Sequence, residues 1–299
     1  MTKDFLTFLD FTQADLIALL DLADTLRDAW QAKRLPQNLA GKSIALIWDA
    51  EGFRNRVSFE LGIAAMGGIA VQVPGNLDER ESIQDVARYL DNWFDGIVSR
   101  ARWHSHMLRL AAASQHPVIN ARTDFNHPCE ILGDLAYIRA KRGSLDSLKV
   151  VFVGEDTNLC HSWFEAAVRL PIHVVQICPV GYQVSANFID RIQRDAVGTM
   201  AVGQDLDAGL KAADVVYTDC WPHRSRREDH EYIAQQFLPY QITAEKLRLA
   251  APGVFFLPCP PVTRGEEVSE DAMAYLGHQV YEAKDYLLHA QNAVLTALL

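Results

Sequence analysis

Two patterns of hydrophobic residues alternate along the chain and predict its secondary structure. Apolar residues at helical spacing between Phe11 and Trp30 predict an amphipathic helix, for which Thr12 is a suitable N-cap. Short apolar runs then recur, with helical or loop segments between them: Ser43–Trp48, Ile69–Val73, Gly96–Ser99 and Val118–Asn120. This alternation is typical of a parallel α/β sheet.

The same alternation restarts after a helical pattern that runs from Cys129 to Arg142. The later apolar runs are Lys149–Gly154, Val174–Cys178, Thr199–Val202, Val215–Thr218 and Val254–Leu257, and the segment Asp271–Leu299 is predicted to be helical to its end. We therefore predict two doubly wound α/β domains, residues 1–144 and 145–282, each with a parallel sheet. Such sheets bind ligands outside the carboxyl ends of their strands, so the residues that follow each run are the candidates for function.

Composition narrows the class of protein. A chain of 299 residues with 49% hydrophobic content can bury two cores, while a net charge of -10 disfavours binding to nucleic acid. No run approaches the roughly 20 apolar residues of a membrane span, and the N-terminus lacks the pattern of a signal peptide. The five cysteines have no CxxC spacing, which argues against a disulfide framework and a zinc site. We expect a cytoplasmic protein that acts on a small molecule, without nucleic acid, membrane or metal as a partner.

The segment after the first strand is the first candidate site. A helix is predicted to begin near Gly52, and Arg54 and Arg56 lie in its first turn. Free N–H groups, the positive end of the helix dipole and two guanidinium groups together suit a phosphate. The alternative is an exposed helix start with two solvated arginines, and these residues alone leave both interpretations open.

A resemblance to a known family distinguishes between the phosphate site and the exposed helix start. Residues 52–56 resemble the Ser-Thr-Arg-Thr-Arg motif of the aspartate/ornithine carbamoyltransferase family, and Val57–Glu60 is similar to its ornithine branch. Further matches follow in the family's order across nearly the whole chain: Phe5–Thr12, Asp95–Arg100, His127-Pro128-Cys129, Val215–Asp219, Arg264–Val268 and His289-Ala290-Gln291. Ordered matches are much more specific than one motif.

The resemblance implies an activity and an assembly. A carbamoyl group would pass from carbamoyl phosphate, bound by residues 1–144, to an amino-acid amine, bound by residues 145–282, as in arginine biosynthesis. The C-terminal helix, residues 283–299, would pack back on the first domain. No metal or other cofactor is implied. The loop Pro74–Ser82 resembles one that reaches into a neighbouring subunit, which implies a homotrimer with shared active sites.

The resemblance also implies which residues hold carbamoyl phosphate: Gly52, Phe53, Arg54, Asn55, Asn76, Arg100, His127, Glu130 and Arg264. Arg100, His127 and Arg264 would stabilise the oxyanion that develops on the carbonyl group, and with Cys259 they are the implied catalytic residues. For the two arginines the alternative role is an ordinary ion pair, and for His127 it is a helix cap.

The implied acceptor site consists of Asn158, Asp219, His223, Arg224, Cys259 and Pro260. Asn158 would bind the carboxylate of the acceptor and Asp219 its α-ammonium group. A helix cap remains the alternative for Asp219, a buried structural thiol for Cys259, and a solvated basic loop for His223 and Arg224. Binding of a dinucleotide is disfavoured, because its fingerprint requires three glycines and only Gly154 is present.

Several departures from the family pattern keep the acceptor and the activity open. Gly52 and Phe53 replace the Ser-Thr pair, and Glu130 replaces the glutamine of His-Pro-Cys-Gln. Arg224 and Pro260 change the acceptor side. The leading hypothesis is transfer to ornithine or a close analogue. The alternatives are a modified or anionic acceptor, and a catalytically weak homologue with a binding role.

Overall fold

The structure is a computed structural model that describes residues 2–49, 52–222 and 227–299, with only the backbone for 227 and 228. The chain forms two compact units, Met1–Lys141 with Lys284–Leu299, and Arg142–Ala283. Each unit is built around a parallel sheet flanked by helices. The prediction of two parallel-sheet α/β domains is therefore confirmed.

The first unit contains a four-stranded sheet in the order β2-β1-β3-β4 within the described ranges. Strands β1 to β4 are Ser43–Trp48, Ile69–Val73, Gly96–Arg100 and Val118–Arg122. Helices α1 to α5 are Gln13–Gln31, Phe53–Ala65, Ile83–Asp91, His104–Ala113 and Pro128–Arg142. The chain moves from β1 to β2 on one side and returns to β3 on the other. The topological switch point, where ligands bind in such sheets, thus lies between β1 and β3.

Local sequence signals explain the start of this unit. The Thr12 hydroxyl accepts a hydrogen bond from the Asp15 amide at 3.1 Å, and the Asp15 carboxylate accepts one from the Thr12 amide at 3.0 Å. This capping box begins α1 where the sequence predicted it. The apolar face of α1 and the side chains of β1 are buried, because both follow the periodicity of their element.

The second unit contains a five-stranded sheet, again counted over the described residues, in the order β7-β6-β5-β8-β9. Strands β5 to β9 are Leu148–Val153, Ile172–Ile177, Thr199–Gly203, Val215–Thr218 and Phe255–Pro258. Helices α6 to α11 are Asn158–Arg169, Ala186–Ile192, Leu206–Leu210, Arg227–Phe237, Ala244–Leu247 and Glu270–Leu276. Its switch point lies between β5 and β8.

The C-terminal segment departs from the sequence prediction in one respect. The predicted continuous helix from Asp271 is wrong at Gly277, where α11 ends and α12, His278–Leu298, begins. The Gly277 amide still donates to the Met273 carbonyl at 3.1 Å, but glycine favours helix termini because it loses more backbone entropy than other residues. From Lys284 onwards α12 belongs to the first unit, as the resemblance implied.

No helix in the described ranges is both long enough and apolar enough to cross a membrane.

Candidate active site

The first unit places a helix start beside an arginine at its switch point. Trp48 at the end of β1 pairs with Arg100 at the end of β3, and the Asp49 amide donates to the Arg100 carbonyl at 3.0 Å. The register between β3 and β4 shifts after Ser99, so that Arg100 pairs with Arg122. Such irregularities redirect side chains, often next to functional sites.

Gly52 is the N-cap of α2 and packs directly against Arg100. A Cβ atom placed on Gly52 would lie only 2.6 Å from Cζ and 2.7 Å from Nε of Arg100. The guanidinium group therefore occupies the space that a side chain at position 52 would need. The predicted phosphate cradle thus has a helix N-terminus and the Arg100 cation in contact.

Phe53 and Arg54 form the first turn of α2. Phe53 is 69% exposed, and the Arg54 guanidinium carbon lies 4.8 Å from the centre of its ring. This distance is typical of a cation–π contact. Sequence reasoning assigned Phe53 only a place in the motif, whereas its ring contacts the Arg54 guanidinium group.

Asn55 connects the helix start to two other predicted residues, His127 and Glu130. Its amide nitrogen lies 3.4 Å from Nε2 of His127 and donates to Oε2 of Glu130 at 3.2 Å. Its amide oxygen accepts from Nε2 of Gln291 at 3.0 Å. All four side chains are buried. The structure therefore brings Asn55, His127 and Glu130 into one polar network, to which α12 contributes Gln291.

The loop before α5 holds His127 in place. Nδ2 of the buried Asn120 donates to Oδ1 of Asn126 at 2.7 Å, and the Asn126 amide donates to the Thr123 hydroxyl at 3.1 Å. Pro128 then begins α5, a position at which its missing N–H costs nothing. These hydrogen bonds fix the backbone before His127, and α5 fixes it after His127.

The negative charge of Glu130 is paired with the ammonium group of Lys284, a residue that sequence reasoning missed. Nζ of Lys284 lies 2.7 Å from Oε1 of Glu130 and 2.8 Å from Oδ1 of Asp134. Lys284 stands at the point where α12 enters the first unit, 154 residues after Glu130 by position in the chain. The available signal was the carboxylate itself, because a buried carboxylate in place of a neutral glutamine needs a cation.

The charge states in this network follow from burial and from Lys284. Burial lowers the pKa of His127 to about 3, and the cations of Arg100, Arg122 and Lys284 favour the same direction against the opposing effect of Glu130. Burial by itself raises the pKa of Glu130, but the Lys284 ammonium, His127 and the hydrogen bonds from Lys284 and Asn55 together lower the pKa below its usual value. At neutral pH the site thus contains a neutral imidazole and an ionised Glu130.

Asn76 lies in the exposed loop before α3. Its amide nitrogen donates to Oε2 of Glu79 at 3.4 Å, and the next residue, Leu77, donates its amide to Oδ1 of Asp49 at 3.1 Å. The structure does not bring Asn76 into the buried network around His127. Its proposed contribution to carbamoyl-phosphate binding remains a prediction.

In the second unit, three predicted acceptor residues follow three adjacent strands. Asn158 begins α6 after β5, Asp219 follows β8, and Cys259 follows β9. The Thr157 hydroxyl caps α6, and the Cys259 amide donates to the Thr218 carbonyl at 2.8 Å. Pro260 and Pro261 are joined by a cis peptide bond. The carboxyl edge of this sheet therefore carries Asn158, Asp219 and Cys259, the residues that the resemblance assigned to the acceptor.

The β5–α6 loop is held by a buried glutamine. Nε2 of Gln176 donates to the carbonyls of Gly154 and Tyr182 at 3.0 and 3.2 Å, and its Oε1 accepts from the Val184 amide at 2.8 Å. One side chain in β6 thus satisfies three backbone groups of two loops. This arrangement supports the segment that leads to Asn158.

Asp219 has two groups beside it that the sequence analysis did not include. Its Oδ1 accepts from the Cys220 amide at 2.8 Å. Glu267 is only 2% exposed, accepts from the Thr263 amide at 2.6 Å through Oε1, and has no hydrogen-bond partner for Oε2 among the described residues. Burial raises the pKa of Glu267 to about 7, and the charge of Asp219 adds to that rise. Asp219 therefore has a second carboxyl group near it whose ionisation is disfavoured mainly by burial.

The remaining predicted residues are Arg264, His223 and Arg224. Arg264 lies in the second unit, and its Nη1 is 2.8 Å from Oε2 of Glu270. Arg264 thus forms an ion pair in the structure, and its assignment to the carbamoyl-phosphate site remains a prediction. His223 and Arg224 lie outside the described residues, so their assignment to the acceptor site remains a prediction.

Comparisons with known proteins assign both halves of the chain to one family. Residues 3–140 match the profile of "Aspartate/ornithine carbamoyltransferase, carbamoyl-P binding domain", and residues 146–298 match that of "Aspartate/ornithine carbamoyltransferase, Asp/Orn binding domain". The chain belongs to the aspartate/ornithine carbamoyltransferase family. The carbamoyltransferase activity that the sequence indicated is therefore supported by both halves of the chain.

Individual relatives of this carbamoyltransferase are similar over their full length. The ornithine carbamoyltransferase of Chlorobaculum tepidum is 35% identical, with 99% of this chain and 90% of that protein covered. The solved ornithine carbamoyltransferase from Pyrococcus furiosus has a TM-score of 0.93 at 33% identity, with 98% and 95% covered. An aspartate transcarbamoylase from Trypanosoma cruzi shares the fold, with a TM-score of 0.86 at 22% identity and 99% and 95% covered.

Proposed function

We propose that this carbamoyltransferase moves the carbamoyl group of carbamoyl phosphate to the side-chain amine of ornithine or a close analogue, releasing phosphate. The observation that carries the proposal is the set of Asn158, Asp219 and Cys259 at the carboxyl edge of one sheet. An amide donor and a carboxylate suit the carboxylate and ammonium groups of an unmodified amino acid. Full-length relatives named ornithine carbamoyltransferase support the same acceptor.

The acidic surroundings of Asp219 support a cationic acceptor. Asp219 and Glu267 are close enough for the charge of one to raise the pKa of the other. An ammonium group placed beside them would relieve that repulsion and stabilise the ionised form of Glu267. A second carboxylate on the acceptor would instead be repelled, unless a cation from the loop that contains Arg224 offset it.

The first unit supplies groups that suit carbamoyl phosphate. Gly52, Arg54 and Arg100 offer a helix N-terminus and two guanidinium groups for the phosphate. His127, neutral at physiological pH, can donate one hydrogen bond to the carbonyl oxygen as negative charge develops on it. The deprotonated amine would attack the carbonyl carbon directly, and the departing phosphate would accept its proton. This mechanism requires no organic cofactor.

The deciding experiment combines a binding measurement with an acceptor screen. Calorimetric titration with carbamoyl phosphate should show saturable binding, and incubation with carbamoyl phosphate plus ornithine should give a ureido product. Asp219→Asn is the matched variant, and it should raise the KM for the acceptor while leaving the affinity for carbamoyl phosphate unchanged. Binding without product from any amine would support the weak homologue instead, and no binding would remove the proposal.

A second candidate is an acceptor with an additional anionic group, which the cation of Arg224 favours. The variant Arg224→Met should then shift kcat/KM towards ornithine. An unchanged ratio between the two acceptors would leave ornithine as the preferred substrate.

A further inference from the structure

A buried group of three charges lies next to the predicted carbamoyl site. Glu130 and Asp134 stand one turn apart on α5 and are 4% and 1% exposed, and the Lys284 side chain between them is 14% exposed. Removing an unpaired charge from water costs several kcal/mol, so the two carboxylates need the ammonium in order to remain ionised. Glu130 is itself one of the residues that the resemblance assigns to carbamoyl phosphate, whereas Asp134 and Lys284 are not.

The three charged residues are linked to the site of His127 through one of them, Glu130. One oxygen of Glu130, Oε1, contacts Lys284 at 2.7 Å. The other oxygen, Oε2, accepts from Nδ2 of Asn55 at 3.2 Å and lies 3.6 Å from Nε2 of His127. Lys284 therefore orients the carboxylate through one oxygen, while the other oxygen faces the site.

A second contact from α12 supports the same network. Gln291 stands seven residues after Lys284, which places both on one face of the helix. Its Nε2 donates to Oδ1 of Asn55 at 3.0 Å. Lys284 and Gln291 thus contact Glu130 and Asn55, whose polar atoms lie 3.6 and 3.4 Å from Nε2 of His127.

The chemistry of Glu130 differs from that of the glutamine in the family motif. An amide can both donate and accept, whereas an ionised carboxylate can only accept. Carbamoyl phosphate has an NH₂ group that can donate to such an oxygen. Acetyl phosphate has the same phosphate but a methyl group in that position, so it cannot make the contact.

We propose that Lys284 is a positioning residue of the carbamoyl-phosphate site, and that it holds Glu130 as an oriented carboxylate which recognises the carbamoyl NH₂ group. The inference rests on the proposed function, because it assumes that carbamoyl phosphate binds beside His127. It assigns the preference for carbamoyl over acetyl phosphate to the Lys284–Glu130 pair. A charge-assisted hydrogen bond of this kind corresponds to a preference of about tenfold to a hundredfold.

The test is a double-mutant cycle with three ligands. Dissociation constants for carbamoyl phosphate, acetyl phosphate and inorganic phosphate are measured by calorimetry for the wild type, Lys284→Met, Glu130→Gln and the double variant. Lys284→Met should reduce the preference for carbamoyl over acetyl phosphate by about tenfold, because Glu130 loses its orientation and its counter-charge. The double variant should recover the preference relative to Lys284→Met, because a neutral glutamine needs no cation and still offers an acceptor oxygen. Asp134 loses the ammonium in both proteins, so that loss is common to the two and cancels in the comparison.

Two further variants separate positioning from simple anchoring of α12. Arg27 also holds this helix, with its Nε 3.3 Å from Oδ2 of Asp285, but it does not contact the network. Arg27→Met should therefore keep the preference of the wild type. Lys284→Arg retains the charge and should keep most of the preference, and it provides the comparison if Lys284→Met does not fold.

The outcomes distinguish this inference from the proposed function. An unchanged preference in a folded Lys284→Met protein would overturn the role of Lys284. A double variant that shows the same loss as Lys284→Met, with no recovery, would overturn it as well. If Lys284→Met does not fold, a preference in Lys284→Arg as low as that of a site without the contact would overturn it. Equal losses for all three ligands would also overturn it, since they indicate a structural defect, while the binding of carbamoyl phosphate by the wild type would still support the proposed function. If the wild type binds no carbamoyl phosphate, both proposals fall together.

Discussion

The close packing of Gly52 against Arg100 gives a prediction that tests the phosphate cradle directly. In Gly52→Ala, the new Cβ would meet Cζ, Nε and Nη1 of Arg100 at 2.6, 2.7 and 2.9 Å. Ordinary contacts between such atoms begin near 3.5 Å, so the guanidinium group must move by roughly 1 Å. The change is confined to the flexible end of one side chain, and we expect little loss of thermal stability.

The expected effect is on ligand binding and turnover. If Arg100 bridges the phosphate and the carbonyl oxygen, a displacement of this size can lower the rate by about a hundredfold. We expect kcat/KM for carbamoyl phosphate to fall by roughly tenfold to a hundredfold in Gly52→Ala, measured by formation of the ureido product at saturating acceptor. Gly52→Ser, which introduces the residue of the family motif, should show a smaller loss, since its hydroxyl can donate to the phosphate.

A double-mutant cycle with Arg100→Ala identifies the cause of the expected loss in kcat/KM. In an Arg100→Ala background the obstructing side chain is absent, so Gly52→Ala should have little further effect. If Gly52→Ala keeps the wild-type kcat/KM, the position of Arg100 does not limit the reaction. If the two substitutions are instead additive, the loss arises from the helix start itself, and the contact between Gly52 and Arg100 is not the reason.

Four further predictions concern other residues of the protein. Arg54→Ala should weaken binding of carbamoyl phosphate by about 1.5–3 kcal/mol, measured by calorimetry, and an unchanged constant would remove Arg54 from the site. Asp219→Ala should abolish saturation by ornithine in steady-state assays while carbamoyl phosphate still binds. Because the folded pKa of Glu267 is raised from 4.5 to about 7, its protonation stabilises the fold at low pH, and that contribution is lost as pH rises through about 7. Glu267→Gln should therefore gain on the order of 2–3 kcal/mol relative to wild type between pH 4.5 and 8.5, in denaturant titrations, and a pH-independent difference would contradict this. Finally, sedimentation should show a closed homotrimer, and a monomer at assay concentrations would contradict the role of the Pro74–Ser82 loop.

Sequence reasoning succeeded where one segment contains all of the determinants. The Thr12–Asp15 capping box and the apolar runs of the strands are local signals, and the structure has these elements at or within two residues of the predicted bounds. The resemblance placed Asn158, Asp219 and Cys259 after three of the predicted strands, and the structure shows that these strands are neighbours. The helix start at Gly52 was likewise predicted from the segment after β1, whereas its contact with Arg100 depends on the pairing of β1 with β3, which the structure shows.

The sequence by itself therefore determined the two sheets, the family, and the strand ends that carry the candidate residues. Only the tertiary structure decided how the charges are paired. Glu130 departs from the family motif, but its partner Lys284 is 154 positions away and its neighbour Asn55 is held by Gln291 from 236 positions away. The raised pKa of Glu267 likewise depends on burial. Desolvation and ion pairing depend on distances in space, and no periodicity or local motif records which distant side chains share a buried site.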